Sequence, residues 1–145
     1  MSDPAVALQN AIETTLRASA ALRTAMGLAT VRLYTMTAPT NAPFPYVVIG
    51  EDQILDDSTE CLESSEAITT VHAWSRVDGD VAASRTQAKA MAGVIRSALK
   101  ALTGVTGFEV TLADFETSRH LTDPDGLTAH SVVSHRFLLD PASAP

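Results

Sequence analysis

Four histidines, a single cysteine and 17 carboxylates are the side chains of this 145-residue sequence that could bind a metal, act as a nucleophile or move a proton. Cys61 lies between Glu60 and Glu63, with no cation, helix N-terminus or metal ligand nearby to favour the thiolate that nucleophilic chemistry needs. His120 and His130 flank a turn, so a cross-strand imidazole pair could offer two metal ligands. A stable site needs a third or fourth, and no acid stands at a recognised spacing. His72 and His135 fall in strand patterns, where a hydrogen-bonded structural role is the expectation. No Gly-x-Ser-x-Gly elbow orders the serines. Gly104 and Gly107 lack the Lys-Ser/Thr that completes a phosphate loop. The sequence therefore gives no support to an enzyme, a metal site or a cofactor. A small cytoplasmic ligand- or metal-binding domain using His120, His130 and Asp114 is the alternative from that class.

Charge placement is the larger anomaly. Ten Lys and Arg against 17 Asp and Glu give a formal charge of −7, the wrong sign for gripping a phosphate backbone. Glu51, Asp52, Asp56, Asp57, Glu60, Glu63 and Glu66 fall in one stretch that contains no Lys or Arg. That stretch reads as a solvated, mobile loop or as a surface kept negative for a reason. Arg85, Lys89, Arg96 and Lys100 recur at helical spacing as a separate basic line, either a solvated face or a contact. Proline-flanked Phe44 and Tyr46 bring aromatic area to the start of a strand, as core or as an anchor against a neighbouring subunit. Trp74 reads as core.

The elements that must place these residues follow from periodicity. Asp3-Pro4 starts a helix to about Met26, with Leu8, Ile12, Leu16, Leu22 and Met26 as its stripe, Ser19 interrupting it and Gly27 closing it. Val31–Tyr34 is a short strand, the proline-rich segment after it a loop, and Tyr46 to about Leu55 and Ala67–Arg76 are two more strands. Val77-Asp78-Gly79-Asp80 delivers an N-cap to a second helix reaching about Leu102, whose stripe is Val81, Ala88, Met91, Ile95, Leu99 and Leu102. Phe108–Leu121 and Leu127–Leu139 form a hairpin around Asp123-Pro124-Asp125-Gly126. A three-residue loop there would set Asp114 opposite Arg136, Glu116 opposite Ser134 and His120 opposite His130. Phe108, Val110 and Leu112 have the opposite parity to Phe115, which demands a bulge near Ala113 or a sheet covered on both faces. The expected fold is α+β, two helices on one face of a mainly antiparallel sheet of about five strands, in one domain over residues 1–140. Residues 141–145 are expected as a flexible tail.

The longest uncharged run, Leu33–Gly50, is broken by prolines and is no membrane span. The start of the chain carries no signal-like pattern, and one cysteine permits no internal disulfide, so synthesis and residence in the cytoplasm are expected.

Three stretches together carry a resemblance: Pro43-Phe44-Pro45-Tyr46-Val47-Val48-Ile49-Gly50-Glu51, Val71-His72-Ala73-Trp74-Ser75-Arg76 and Asp123-Pro124-Asp125-Gly126-Leu127-Thr128. In this order and spacing the sequence resembles the tail completion, or tail terminator, proteins of siphophages and gene transfer agents, over about residues 5 to 140. The resemblance implies a small α+β fold similar to the lambda tail terminator and a structural protein of the virion or phage-like particle. It also implies a hexameric ring that caps the head-proximal end of the tail tube and meets the head connector, or stopper. The partners so implied are copies of the chain, the tail tube protein and the connector, with DNA passing through unbound. A head–tail connector or other minor tail protein is the nearer alternative. In such a ring, Arg85, Lys89, Arg96 and Lys100 are expected to meet a neighbour's acids, with Phe44 and Tyr46 also at the interface. The seven acids from Glu51 to Glu66 are expected to face the channel or the tube-side rim.

Overall fold

The computed structural model describes residues 2–142. Asp3 Oδ1 accepts the Ala5 N–H at 2.9 Å, and α1 (Ala5–Arg17) starts where the Asp-Pro pair predicts. Apolar spacing predicts one helix to Met26, but the chain breaks after Arg17 and restarts as α2 (Ala20–Met26). Ser19 is the cause: its backbone is extended, and its hydroxyl accepts the Leu22 N–H at 3.1 Å in place of a carbonyl one turn back. The stripe survives the break, since Leu8, Ile12, Leu16, Leu22 and Met26 are all buried. Gly27 closes α2 in the left-handed conformation.

The strands are β1 (Leu33–Thr35), β2 (Tyr46–Asp56), β3 (Ser65–Ser75), β4 (Phe108–Thr122) and β5 (Ala129–Pro141), with α3 (Val81–Lys100) between β3 and β4. Asp80 caps α3 by accepting the Ala83 N–H at 2.9 Å. The sheet order is β1-β2-β3-β5-β4, with β1 parallel to β2 and every other pair antiparallel. The α+β architecture is as expected, with three helices rather than two because Ser19 divides the first. β1 begins two residues later than Val31, which is buried as core ahead of it.

Strand alternation gives the sheet two unlike faces. Val47, Ile49, Ala67, Val71, Ala73, Val133, Phe137 and Leu139 form one core cluster with the helices. Met91, Ile95 and Leu99 are the contribution of α3, while Val81 at its start, expected in that stripe, is 40% exposed. Among the described residues no helix covers the other face, which carries Tyr46, Val48, His72, Trp74, His130 and Arg136.

The β4–β5 turn is one residue longer than the three-residue loop allows. The Asp125 carboxylate accepts the N–H groups of Leu127 and Thr128 (2.8 and 2.9 Å) and the Thr128 hydroxyl (2.7 Å), which pulls Leu127 into the loop. Asp123 therefore pairs with Thr128, its N–H reaching the Thr128 carbonyl at 2.8 Å. These three bonds hold the Asp125 carboxyl below the usual carboxylate range. Two bulges in β4 then divide the register. Asp114 faces Arg136 as predicted, but Thr117 rather than Glu116 faces Ser134, and His120 faces Ser131 rather than His130. The bulge between Val110 and Leu112 resolves the parity conflict: Phe108 and Val110 join the core side, and Leu112 falls on the open face. Chain order also persists past the expected end, because Pro141 pairs with Phe108 and the Ala142 N–H donates to the Gly107 carbonyl. The remainder of the expected tail, 143–145, lies outside the described residues.

Candidate functional site

The seven acids separate into distinct environments on the β2–β3 hairpin. Glu51 and Asp52 stand at the irregularity between Ile49 and Asp52, and Asp56, Asp57 and Glu60 follow toward the tip, all exposed. The Asp56 pKa is lowered by hydrogen bonding from Ser58, first from its side chain and then from its N–H, which Oδ1 accepts at 3.0 Å. Glu63 Oε1 accepts the Ser2 N–H at 2.8 Å. Glu66 does not belong with the projecting set: it lies on the open face and pairs with Arg136 at 3.1 Å. That pair also shows that Arg136, although opposite Asp114 in register, binds the acid on β3 instead. The tip is a built turn, closed by the Asp57 N–H to the Ser64 carbonyl (2.9 Å) and the Thr59 N–H to the Leu62 carbonyl (2.8 Å).

The four cations of α3 lie along β4, at the opposite side of the sheet from that hairpin. Arg85 Nη1 donates to Thr122 Oγ1 at 2.8 Å, and the Arg96 guanidinium sits 3.7 Å from the Phe115 ring centroid. Burial, then Lys89 and Arg85, lowers the pKa of His120, whose Nδ1 bonds Ser131 Oγ at 2.7 Å. His135 is fully buried beneath α3, and its pKa is lowered first by that burial, with Arg96 and Lys100 adding to it. Among the described residues neither of its ring nitrogens, nor Thr69 Oγ1 directly across the strand pair, has a hydrogen-bond partner. Among the described residues none of Arg85, Lys89, Arg96 and Lys100 makes an ion pair.

Phe44 and Tyr46 are on the uncovered face, not in the helix-side core. Their rings stack at 5.1 Å, Tyr34 meets Tyr46 edge-on at 5.8 Å, and Trp74 continues the row at 6.3 Å from Tyr46. His130 lies against Trp74 at 3.7 Å with planes 9° apart. Trp74 is thus half-buried within this row. The imidazole pair that forms is His72 with His130, Nδ1 to Nε2 at 2.6 Å, because the longer loop turns His120 to the other face. Burial and the neighbouring His72 push the His130 pKa down to about 4, and burial also lowers that of His72. Among the described residues no three His, Cys, Asp or Glu side chains converge as a metal site. The row borders an open groove of ≈ 300 Å³ that Met36, a non-glycine residue with φ 66°, also lines. The sequence signal for the row was available in β3, where Ile68, Thr70, His72 and Trp74 alternate with the core residues Ala67, Val71 and Ala73.

Gly50 makes room for this pair, since a Cβ there would lie 2.6 Å from His72 Nε2 and 3.3 Å from the Thr70 carbonyl. Gly50→Ala is expected to displace the His72 ring, break its bond to His130 and cost about 1–3 kcal/mol, the range for overpacking. In an NMR titration His130 should then move back up toward the ordinary imidazole range. An unchanged His130 titration would contradict the assignment.

No helix is long and apolar enough to cross a membrane among the described residues. The charged and aromatic groups lie on open surfaces at different sides of the sheet, an arrangement suited to recognition of other chains. No curated protein matches the sequence. Among solved structures, a chain described as the virion of a native gene transfer agent particle superposes with a TM-score of 0.79 at 20% identity, covering 97% of this chain and 99% of that one. At that identity the likeness is one of fold. The family model described as tail completion protein gp17 matches residues 10–140, and with nearly the whole fold inside that match, the chain belongs to the tail completion protein family.

Proposed function

We propose that this tail completion protein is a structural, non-catalytic part of a phage-like particle that closes into a ring, six-membered as the resemblance implies. The ring caps the head-proximal end of the tail tube and offers its other side to the head connector. The observation that carries this reading is the family match over residues 10–140. Charge segregation is consistent with it: α3 holds four cations and no acid, while the β2–β3 hairpin holds the acids. Cations on one flank and acids on the other suit a heterologous contact, the kind that closes rings. The tip acids Asp57, Glu60 and Glu63 face the channel or the tube-side rim, where negative charge repels phosphate and lets DNA pass without being held.

Tail tube protein polymerised with and without the chain tests this, with tube lengths and ends read by electron microscopy. Capped tubes of limited length are expected with it. Tubes of equal, uncontrolled length in both samples would overturn the reading. Its position in an intact particle separates a tube cap from a connector subunit.

A further inference from the structure

The sheet has two strand edges without a backbone partner among the described residues. β1 covers β2 only at Val47–Ile49, so from Glu51 to Asp56 the outer edge of β2 is open. Across the sheet, the outer edge of β4 is open over Glu109–Thr122, beyond the bridge of Phe108 to Val105. Open edges of this kind are templates for strand addition. Resting on the ring reading above, we propose that Glu51–Asp56 of one copy adds antiparallel to the outer edge of β4 in the next copy, placing Asp52 and Asp56 beneath the cations of that copy's α3.

Three features select this occupant. The first is direction. β2 and β4 run oppositely within one sheet, so a copy related by rotation alone brings its β2 antiparallel to β4. The second is the face on which charge lies. Asp52 and Asp56 pair with Thr69 and Ser65, on the helix side of the sheet, which is the side from which α3 overhangs β4. On the open side β2 presents Glu51 with the uncharged Gln53 and Leu55, and β4 presents Glu109, Asp114 and Arg119, so a register that sets Glu51 near Arg119 keeps like charges apart. The third is length. Lys89 to Lys100 spans ~16 Å along a helix, and Asp52 to Asp56 ~14 Å along a strand. The bulges divide β4 into the regular stretches Phe108–Val110, Leu112–Phe115 and Thr117–Thr122, so few registers are open to a six-residue incoming strand.

The test uses two charge-reversed chains, Lys89→Glu with Lys100→Glu and Asp52→Lys with Asp56→Lys, all at exposed positions. Sedimentation velocity and amide exchange are read to millimolar concentration. Wild-type chain is expected to self-associate, less so in high salt, with slowed exchange along Glu51–Asp56 and β4. Each variant alone should self-associate at least tenfold more weakly while keeping wild-type exchange in β3 and β5. An equimolar mixture, in which every contact is again between opposite charges, should recover. Variants that associate like wild type, or folded variants whose mixture stays monomeric, would overturn the proposal. So would a wild-type chain that is monomeric at millimolar concentration with unprotected edges. Tubes capped to normal length by both variants would remove this contact and leave the ring cap standing, whereas tubes never capped by wild type remove the ring cap itself.

Discussion

Phe137→Ala is expected to lower the unfolding free energy by about 3–5 kcal/mol, the range for its class. Phe137 is fully buried and belongs to the interior strand β5, opposite Ala67 on β3 and Ala113 on β4. The two alanines make the space that the ring fills. Truncating Phe137 leaves three methyl-sized side chains abreast, and none can reach into the void. His135, whose ring lies 6.1 Å away, is itself held between Phe115 and the strands. The loss would be a large part of the 5–15 kcal/mol typical of a domain. Urea unfolding of both chains by circular dichroism measures it, and a midpoint shift corresponding to less than about 1 kcal/mol would show that the core collapses around the site.

Acidification from pH 7 to pH 4.5 is expected to destabilise the protein by several kcal/mol. All four histidines, His72, His120, His130 and His135, have pKa values below the ordinary imidazole value, and burial is the first cause in each. A depressed pKa means that the folded state holds fewer protons than the unfolded chain. Stability is therefore complete above pH 6.5 and falls as pH drops from there toward the folded-state values. For His130, lowered to about 4 but partly open to solvent, the loss is on the order of 2 kcal/mol. Below that window Asp56 and Asp125, whose carboxyls are lowered by hydrogen bonds, add a loss in the same direction. Urea midpoints at pH 7.5, 6 and 4.5 should fall in order, and His130→Gln should flatten the dependence. Equal midpoints at pH 7.5 and 4.5 would contradict the burial of these rings as the controlling factor.

Local chemistry was legible in the sequence, and contacts across it were not. The stripe from Leu8 to Met26 is written in helical spacing, and it holds through a break that one serine hydroxyl imposes. Asp-Pro-Asp-Gly marks the hairpin, yet the loop length depends on where the Asp125 carboxylate finds N–H groups, and that single residue decides which histidines meet. Glu66 looks like part of an acidic run until β5 brings Arg136 beside it from 70 positions away. Phe44, Tyr46 and Trp74 are equally apolar in the core or on an open face. Only the alternation of β3, with apolar residues at both parities, hints that the sheet keeps aromatic rings on the side without helices.

The order β1-β2-β3-β5-β4 has a consequence for synthesis. β5 follows the other four described strands in the sequence, yet it lies between β3 and β4 and supplies Val133, Phe137 and Leu139 to the core. A nascent chain that has emerged only through β4 has no strand to join its two halves, and α3 has only part of a sheet to cover. Translation adds residues at about 5–20 per second, so for a second or more β3 and β4 each wait with an inner edge open as well as the edges the finished fold leaves bare. Cooperative closure comes only once β5 has left the ribosome. The β1–β2–β3 flank can pair before β5 appears, but the β4 flank takes its place beside it only after β5 is made, so a half-made chain lacks the finished sheet.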